Sequence, residues 1–306
     1  MNPTTSVSLT LTQKITELCL SLPELIFLIG DDSFILDTAE VFTKLGHFCH
    51  PLVIIVFADS PEAVRDKIVA RLPILHPDTQ KKEQETIRHL TGISDACLPL
   101  PAITFKKLTD LTISPIQNTK YAVIIDRNHL DQTKFISSKT SILTEEITDI
   151  GETDQTEFIA QAVHSRYAHK HHKPIHWNEL TPTQQDQNIC QAAHHLIKFA
   201  ILGYRICPGE DPKKWNQLQQ QLTTEGISFL AELEHNRWWA VMLANGWHLN
   251  ERRDDQQMLH PDMIPYSCLN QEAKQKDIDA FESIQMIYQK TGYHPEKYKP
   301  KTNSEN

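Results

Sequence analysis

The sequence predicts an α/β domain with a parallel sheet over residues 1–150, followed by a mostly helical region built from two related repeats. Two observations predict it. In the first half, short unbroken apolar runs alternate with stretches of helical periodicity. In the second half one segment lays over another without a gap: Phe158-Ile-Ala-Gln-Ala-Val-His-Ser-Arg-Tyr over Phe229-Leu-Ala-Glu-Leu-Glu-His-Asn-Arg-Trp. The match resumes downstream, where Ile175-His-Trp-Asn-Glu-Leu, running on to Gly203-Tyr204, lays over Ile264-Pro-Tyr-Ser-Cys-Leu, running on to Gly292-Tyr293.

The elements follow in order. Glu24 to Gly30 reads as a buried strand ending at its glycine. Ser33 to Leu45 reads as a helix, its apolar residues near 3.6 spacing and Gly46 as its stop. Pro51 to Phe57 is a second strand ending near Asp59; Ser60 then serves as N-cap and Pro61 as first residue of a helix reaching about Leu72. Further strands are expected near Ile103 to Phe105 and from Tyr121 to Asp126. Strands this continuously apolar need cover on both faces, so the sheet is parallel and Rossmann-like.

From residue 151 the strand pattern stops. A shortened repeat is expected over 151–207 and a longer one over 226–294, with a loose tail at 295–306. Thr181 and Asn270 stand at equivalent helix starts, and Gly203 and Gly292 fall where a left-handed C-terminal residue is needed. The link from Cys207 to Gly226 is polar. Between its His and its Ile the second copy carries eighteen residues that the first lacks, and these hold Gly246 to Pro261.

Composition narrows the function. A net charge of −9 argues against non-specific nucleic-acid binding, which needs clustered Lys and Arg. No apolar run approaches the ~20 residues of a membrane span, and no basic region precedes a hydrophobic stretch at the start. Six scattered cysteines, none at C-x-x-C spacing, suit free thiols in a reducing compartment. The expectation is a cytoplasmic protein, with delivery to another compartment left open.

Glu234-His-Asn-Arg-Trp, Gly246-Trp, Arg252-Arg-Asp-Asp, Leu259-His-Pro and Ile264-Pro-Tyr resemble the RyR domain, the repeat first described in ryanodine receptors. The 158–205 segment resembles a shortened copy. More loosely, Leu45-Gly-His-Phe, the strand Leu52 to Phe57, Asp59 and Ala70-Arg-Leu-Pro resemble the TrkA-N type domains that precede RyR repeats in some bacterial proteins. The resemblance implies a bacterial sensor of small, often nucleotide-derived ligands, with an NAD-type or adenine nucleotide as the candidate, and no catalytic fold in either half.

The turn after the first strand departs from that pattern. A dinucleotide fold uses glycines there so that the backbone approaches a pyrophosphate. Here Gly30 is followed by Asp31, Asp32 and then Phe34: two charges repel the phosphates and a ring fills their space. Asp59 ends the second strand, where an acid would bind ribose hydroxyls, but 29 residues after Gly30 rather than about twenty. Gly30 and Asp59 are the cofactor-binding candidates, in an unusual pose at best.

The ligand-binding candidates are Arg237, Trp238, Trp247, Arg252, Arg253 and Tyr266. Trp faces would stack on a ring, and the arginines would hold phosphate. The plainer reading makes Trp238 core, gives His235 a carbonyl partner and pairs Arg237 with Asp254 or Asp255. Seven of the sixteen histidines, His164, His169, His171, His172, His176, His194 and His195, fall in one stretch, but without a ligand motif they read as a solvated polar face. Asp31, Asp32, Asp59 and Asp126 could form a carboxylate site at the sheet edge; the plainer reading has Asp31 or Asp32 capping the next helix. The leading function is a non-catalytic sensor or adaptor. The alternatives are a protein-interaction scaffold or delivered effector with a protein partner, and a nucleotide-dependent enzyme using those carboxylates.

Overall fold

A computed structural model describes residues 12, 15, 16, 18–20, 22–46, 51–111, 121–125, 129, 141–144, 155–170 and 175–297. The apolar runs form β1 Leu25–Ile29, β2 Val53–Ala58, β3 Ala102–Lys107, β4 Tyr121–Ile125 and β5 Ser141–Thr144, a parallel sheet in the order β3-β2-β1-β4-β5. β1 lies in the middle, Leu25 pairing with Val53 on one side and Tyr121 on the other. All five of its residues are buried, which is why the run is apolar without alternation. Its side chains still divide by the two-residue period. Ile26 and Leu28 join Ile54, Val56, Ala122 and Ile124 on one face, while Leu25, Phe27 and Ile29 join Phe57, Val123 and Ile125 on the other.

Among the described helices of this half are α1 Asp32–Leu45, α2 Pro61–Arg71 and α3 Pro77–Thr91. α1 starts one residue before its expected position and ends at Gly46 as the sequence indicated. Asp31 and Ser60 occupy N-cap places, but neither side chain makes the capping bond. Asp32 pairs instead with Lys67 of α2. α3 and β5 did not show in the sequence. α3 buries only Glu83 and Ile87, too thin a stripe to announce a helix, and β5 is four residues long. Asp126 lies outside the described residues.

The helical half contains α4 Gln155–Lys170, α5 Pro182–Ile201, β6 Tyr204–Pro208, α6 Pro212–Gln221, α7 Thr224–Ala244, the short strands β7 His248–Leu249 and β8 Leu259–His260, α8 Gln271–Lys290 and β9 Tyr293–Lys297. Several positions matched in the sequence play matched parts. Thr181 accepts a hydrogen bond from the Gln184 amide and Asn270 from the Ala273 amide, so matched residues cap α5 and α8. Gly203 and Gly292 take φ of +77° and +78°, reversing the chain into β6 and β9. Those strands pair antiparallel with Ile206 opposite Pro295, which are themselves matched positions. The two repeats are thus related by an approximate two-fold axis through the ribbon. Beneath it the matched rings of Phe199 and Tyr288 meet edge to face, centroids 5.6 Å apart.

Two expectations change here. Residues 295–297 belong to β9, not to a loose tail, because β6 supplies their backbone partners; 298–306 lie outside the described residues. The polar link contains α6, capped by Asp211 and anchored by fully buried Trp215, whose indole N–H donates to the Tyr293 carbonyl at 3.0 Å.

The two halves pack closely. Ala193 and Ile197 of α5 join the core between α1 and the sheet. Lys44 of α1 bridges to Asp186 of α5 at 2.6 Å. Gly46, at φ +69°, lies so near α7 that a Cβ there would stand 3.0 Å from Ala240 Cβ and 3.3 Å from the Asn236 carbonyl. Only glycine fits both the turn and the gap.

Candidate functional site

α7 carries two kinds of side chain. Its inner face holds Glu234 and Arg237, both about 3% exposed. Glu234 accepts from Lys198 of α5 and from the Arg237 guanidinium, which also donates to the Gln187 carbonyl at 3.2 Å. Burial pushes the Glu234 carboxyl up, but the two cations outweigh it and hold the group ionised well below the carboxylate range. Arg237 was an expected ligand residue. Its charge is matched internally, and its partner is Glu234 rather than Asp254 or Asp255.

The histidines of the repeat act as struts. His235 Nε2–H donates to the Ile264 carbonyl at 2.8 Å, and the matched His164 to the matched Ile175 carbonyl at 2.7 Å. Each pins the chain that enters the second helix of its repeat. His194 and His195, expected on a solvated face, are fully buried on α5. Burial, reinforced by Lys198, pushes the His195 pKa down to about 3 and keeps the ring neutral. His171 and His172 lie outside the described residues. Among the described residues no three His, Cys, Asp or Glu side chains gather into a metal site.

The outer end of α7 and the eighteen-residue insert form a different environment. Trp238 is half-buried, with His260 edge-on to it at 4.9 Å between centroids; Trp247 lies 6.3 Å from the same imidazole. Arg253 is exposed and pairs with Asp255 at 2.6 and 3.2 Å. Tyr167 and Asp262 lie within electrostatic reach of Arg253, and Lys276 stands 4.0 Å from Asp262. Arg252 is exposed beside it. Tyr266 is only 8% exposed; its ring packs near His235 and beneath the Lys274 ammonium, 5.6 Å from the centroid, so it supports the site from below. Sequence reasoning missed His260 and Tyr167. Tyr167 could have been found, because it is the residue matched to Trp238 in the first repeat.

The insert also docks on the α/β domain. Leu249 and Met263, with Trp238 and Trp247 at the margin, pack against Ile74, Ile87, Leu98 and Leu100. Within that contact Glu83 of α3, 6% exposed, accepts from His248 Nδ1 and from the Leu249 amide at 3.4 Å. Gly30 and Asp59 end the adjacent strands β1 and β2, and Asp31 stands 4.0 Å from His129.

The family model of the RyR domain matches residues 214–297, which take in α6 from its third residue, α7, the insert, α8 and β9. No curated protein matches the chain.

Proposed function

We propose that this protein is a non-catalytic sensor or adaptor for a small, nucleotide-derived ligand, held on the outer face of the second repeat. The observation that carries the reading is the double role of the insert. It presents Trp247, His260, Arg252 and Arg253 beside Trp238, and the same short segment docks on α3 of the α/β domain. A planar ring would stack on the half-buried aromatics, with Tyr167 at the rim. A phosphate would draw Arg253 from Asp255, since the guanidinium binds it with the same two-pronged geometry. Rearranging the insert would move the Leu249–Glu83 contact and pass the event to the α/β half.

The α/β half serves as scaffold in this reading. Its resemblance to TrkA-N domains fits the strand order, but Asp31 and Asp32 stand where a pyrophosphate would lie, so an NAD-type or adenine nucleotide would bind the repeats. The bacterial cytosol is the setting the RyR and TrkA-N resemblances favour. The test is a thermal-shift screen of the full chain against NAD(H), ADP-ribose, ATP, AMP and cyclic nucleotides, repeated with Trp247→Ala/Arg253→Ala. A stabilising ligand whose effect the double variant abolishes supports the site; an undiminished effect rejects it.

A further inference from the structure

We propose that the cavity where α6 meets the β6–β9 ribbon is a second ligand site, one that takes a phosphate-type anion, free or carried by a small organic phosphate. The cavity has a volume of about 330 Å³ and shares no lining residue with the face around Trp238. Lys214, Gln217 and Gln221 line it from one side of α6, at the i, i+3, i+7 spacing that stacks side chains on one helical face. Arg205 and Lys297 line it from the two strands of the ribbon.

The donors are arranged rather than merely present. His294 Nδ1–H donates to the Gly209 carbonyl at 2.9 Å, which leaves Nε2 to accept from Lys214 at 3.0 Å and hold its ammonium. The Tyr204 hydroxyl donates to Gln221 Oε1 at 2.7 Å, leaving the amide NH2 of Gln221 as a donor. Glu296 is the single carboxylate in the lining; Arg205 reaches it at 3.1 Å and Lys214 at 3.8 Å. Among the described residues no ion pair engages Lys297. Asp211, at the start of α6, also stands 3.9 Å from Lys214, so three cations face two carboxylates and leave one positive charge, together with two amides. A phosphate offsets that charge, and its several oxygens can accept from the ammonium groups and the amides together. The residues that hold it come from α6, β6 and β9, so binding would clamp the ribbon on which the two repeats are joined.

Titration calorimetry of the full chain with inorganic phosphate and with glycerol phosphate tests this. Lys297→Ala is expected to weaken binding roughly tenfold, the size of one lost charged hydrogen bond. Gln217→Glu, which places a negative charge on an exposed helical position, is expected to abolish it, with both variants melting as the parent does in phosphate-free buffer. Tighter binding of the ester than of phosphate would show that the organic part also fits. No heat with either probe, or binding that Gln217→Glu leaves intact, overturns the proposal. So does a loss that follows Arg253→Ala instead.

Discussion

The carboxylate of Glu83 in the α/β domain grips His248 in the insert of the second repeat, and it is the buried member of the pair. The hydrogen bond that His248 donates to Glu83 is the largest influence on the imidazole and raises its pKa above the usual histidine value. A raised folded-state pKa means the contact contributes fully below the unfolded value near 6.5 and is lost as pH rises through the raised value. His248 is half-exposed, so solvent screening limits the effect to roughly 1 kcal/mol or less. Glu83→Gln is therefore expected to flatten the decline in melting temperature between neutral and mildly alkaline pH. An identical pH profile in parent and variant would show that the pair does not couple the halves.

Glu234 stands between Lys198 and Arg237 with all three side chains buried. Removing one member leaves uncompensated charge in the interior, so Glu234→Ala is expected to destabilise by roughly 3–5 kcal/mol. Chemical denaturation measures this. A loss below about 1 kcal/mol would mean that the cations find water or other partners.

His195 supplies an acid limit. Neither of its ring nitrogens has a hydrogen-bond partner among the described residues; it faces Lys198, Glu234 and Arg237, and the Tyr288 ring lies 6.1 Å from it. Its folded-state pKa is pushed down to about 3, against about 6.5 unfolded. The unfolded chain therefore binds the proton first, and stability falls as pH drops from about 6.5 toward 3. His195→Leu keeps the volume and removes the proton site. It is expected to melt as the parent does at pH 8 and above it at pH 5; equal losses at both would assign the acid sensitivity elsewhere.

Gly46 tests the packing of the halves. Gly46→Ala would meet Ala240 Cβ at 3.0 Å in a left-handed backbone, and a destabilisation of roughly 1–3 kcal/mol is expected. A neutral outcome would mean that α1 and α7 separate more easily than their contact implies.

Much of the architecture was legible because its signals are local or repeated. Continuous apolar runs marked β1, β2 and β4, Pro61 marked the start of α2, and the pairing of His164 with His235 and of Gly203 with Gly292 marked the repeat. α3 was hidden because its buried surface is a carboxylate and one isoleucine. The fate of Arg237 was hidden for a related reason: Glu234 stands three residues before it on α7, but the burial of that pair under α5, where Lys198 shares the carboxylate and the Gln187 carbonyl accepts from Arg237, is announced by no spacing in the chain. The polarity of α5 misled in the opposite direction, since His194 and His195 read as solvent-facing and lie in the core. Trp247 and Arg253 were legible as a cluster, whereas His260 was not singled out until the short ribbon β7–β8 brought it to Trp238.

The measurement that bears most directly on the central claim is the ligand-dependent melting temperature of the full chain across a nucleotide panel, compared with the Trp247→Ala/Arg253→Ala variant. A ligand at a hundred times its dissociation constant stabilises the folded state by about 2.7 kcal/mol. The sensor account predicts such a shift for at least one nucleotide-derived compound, and its disappearance in the variant. A flat response across the panel by a folded parent protein would contradict it.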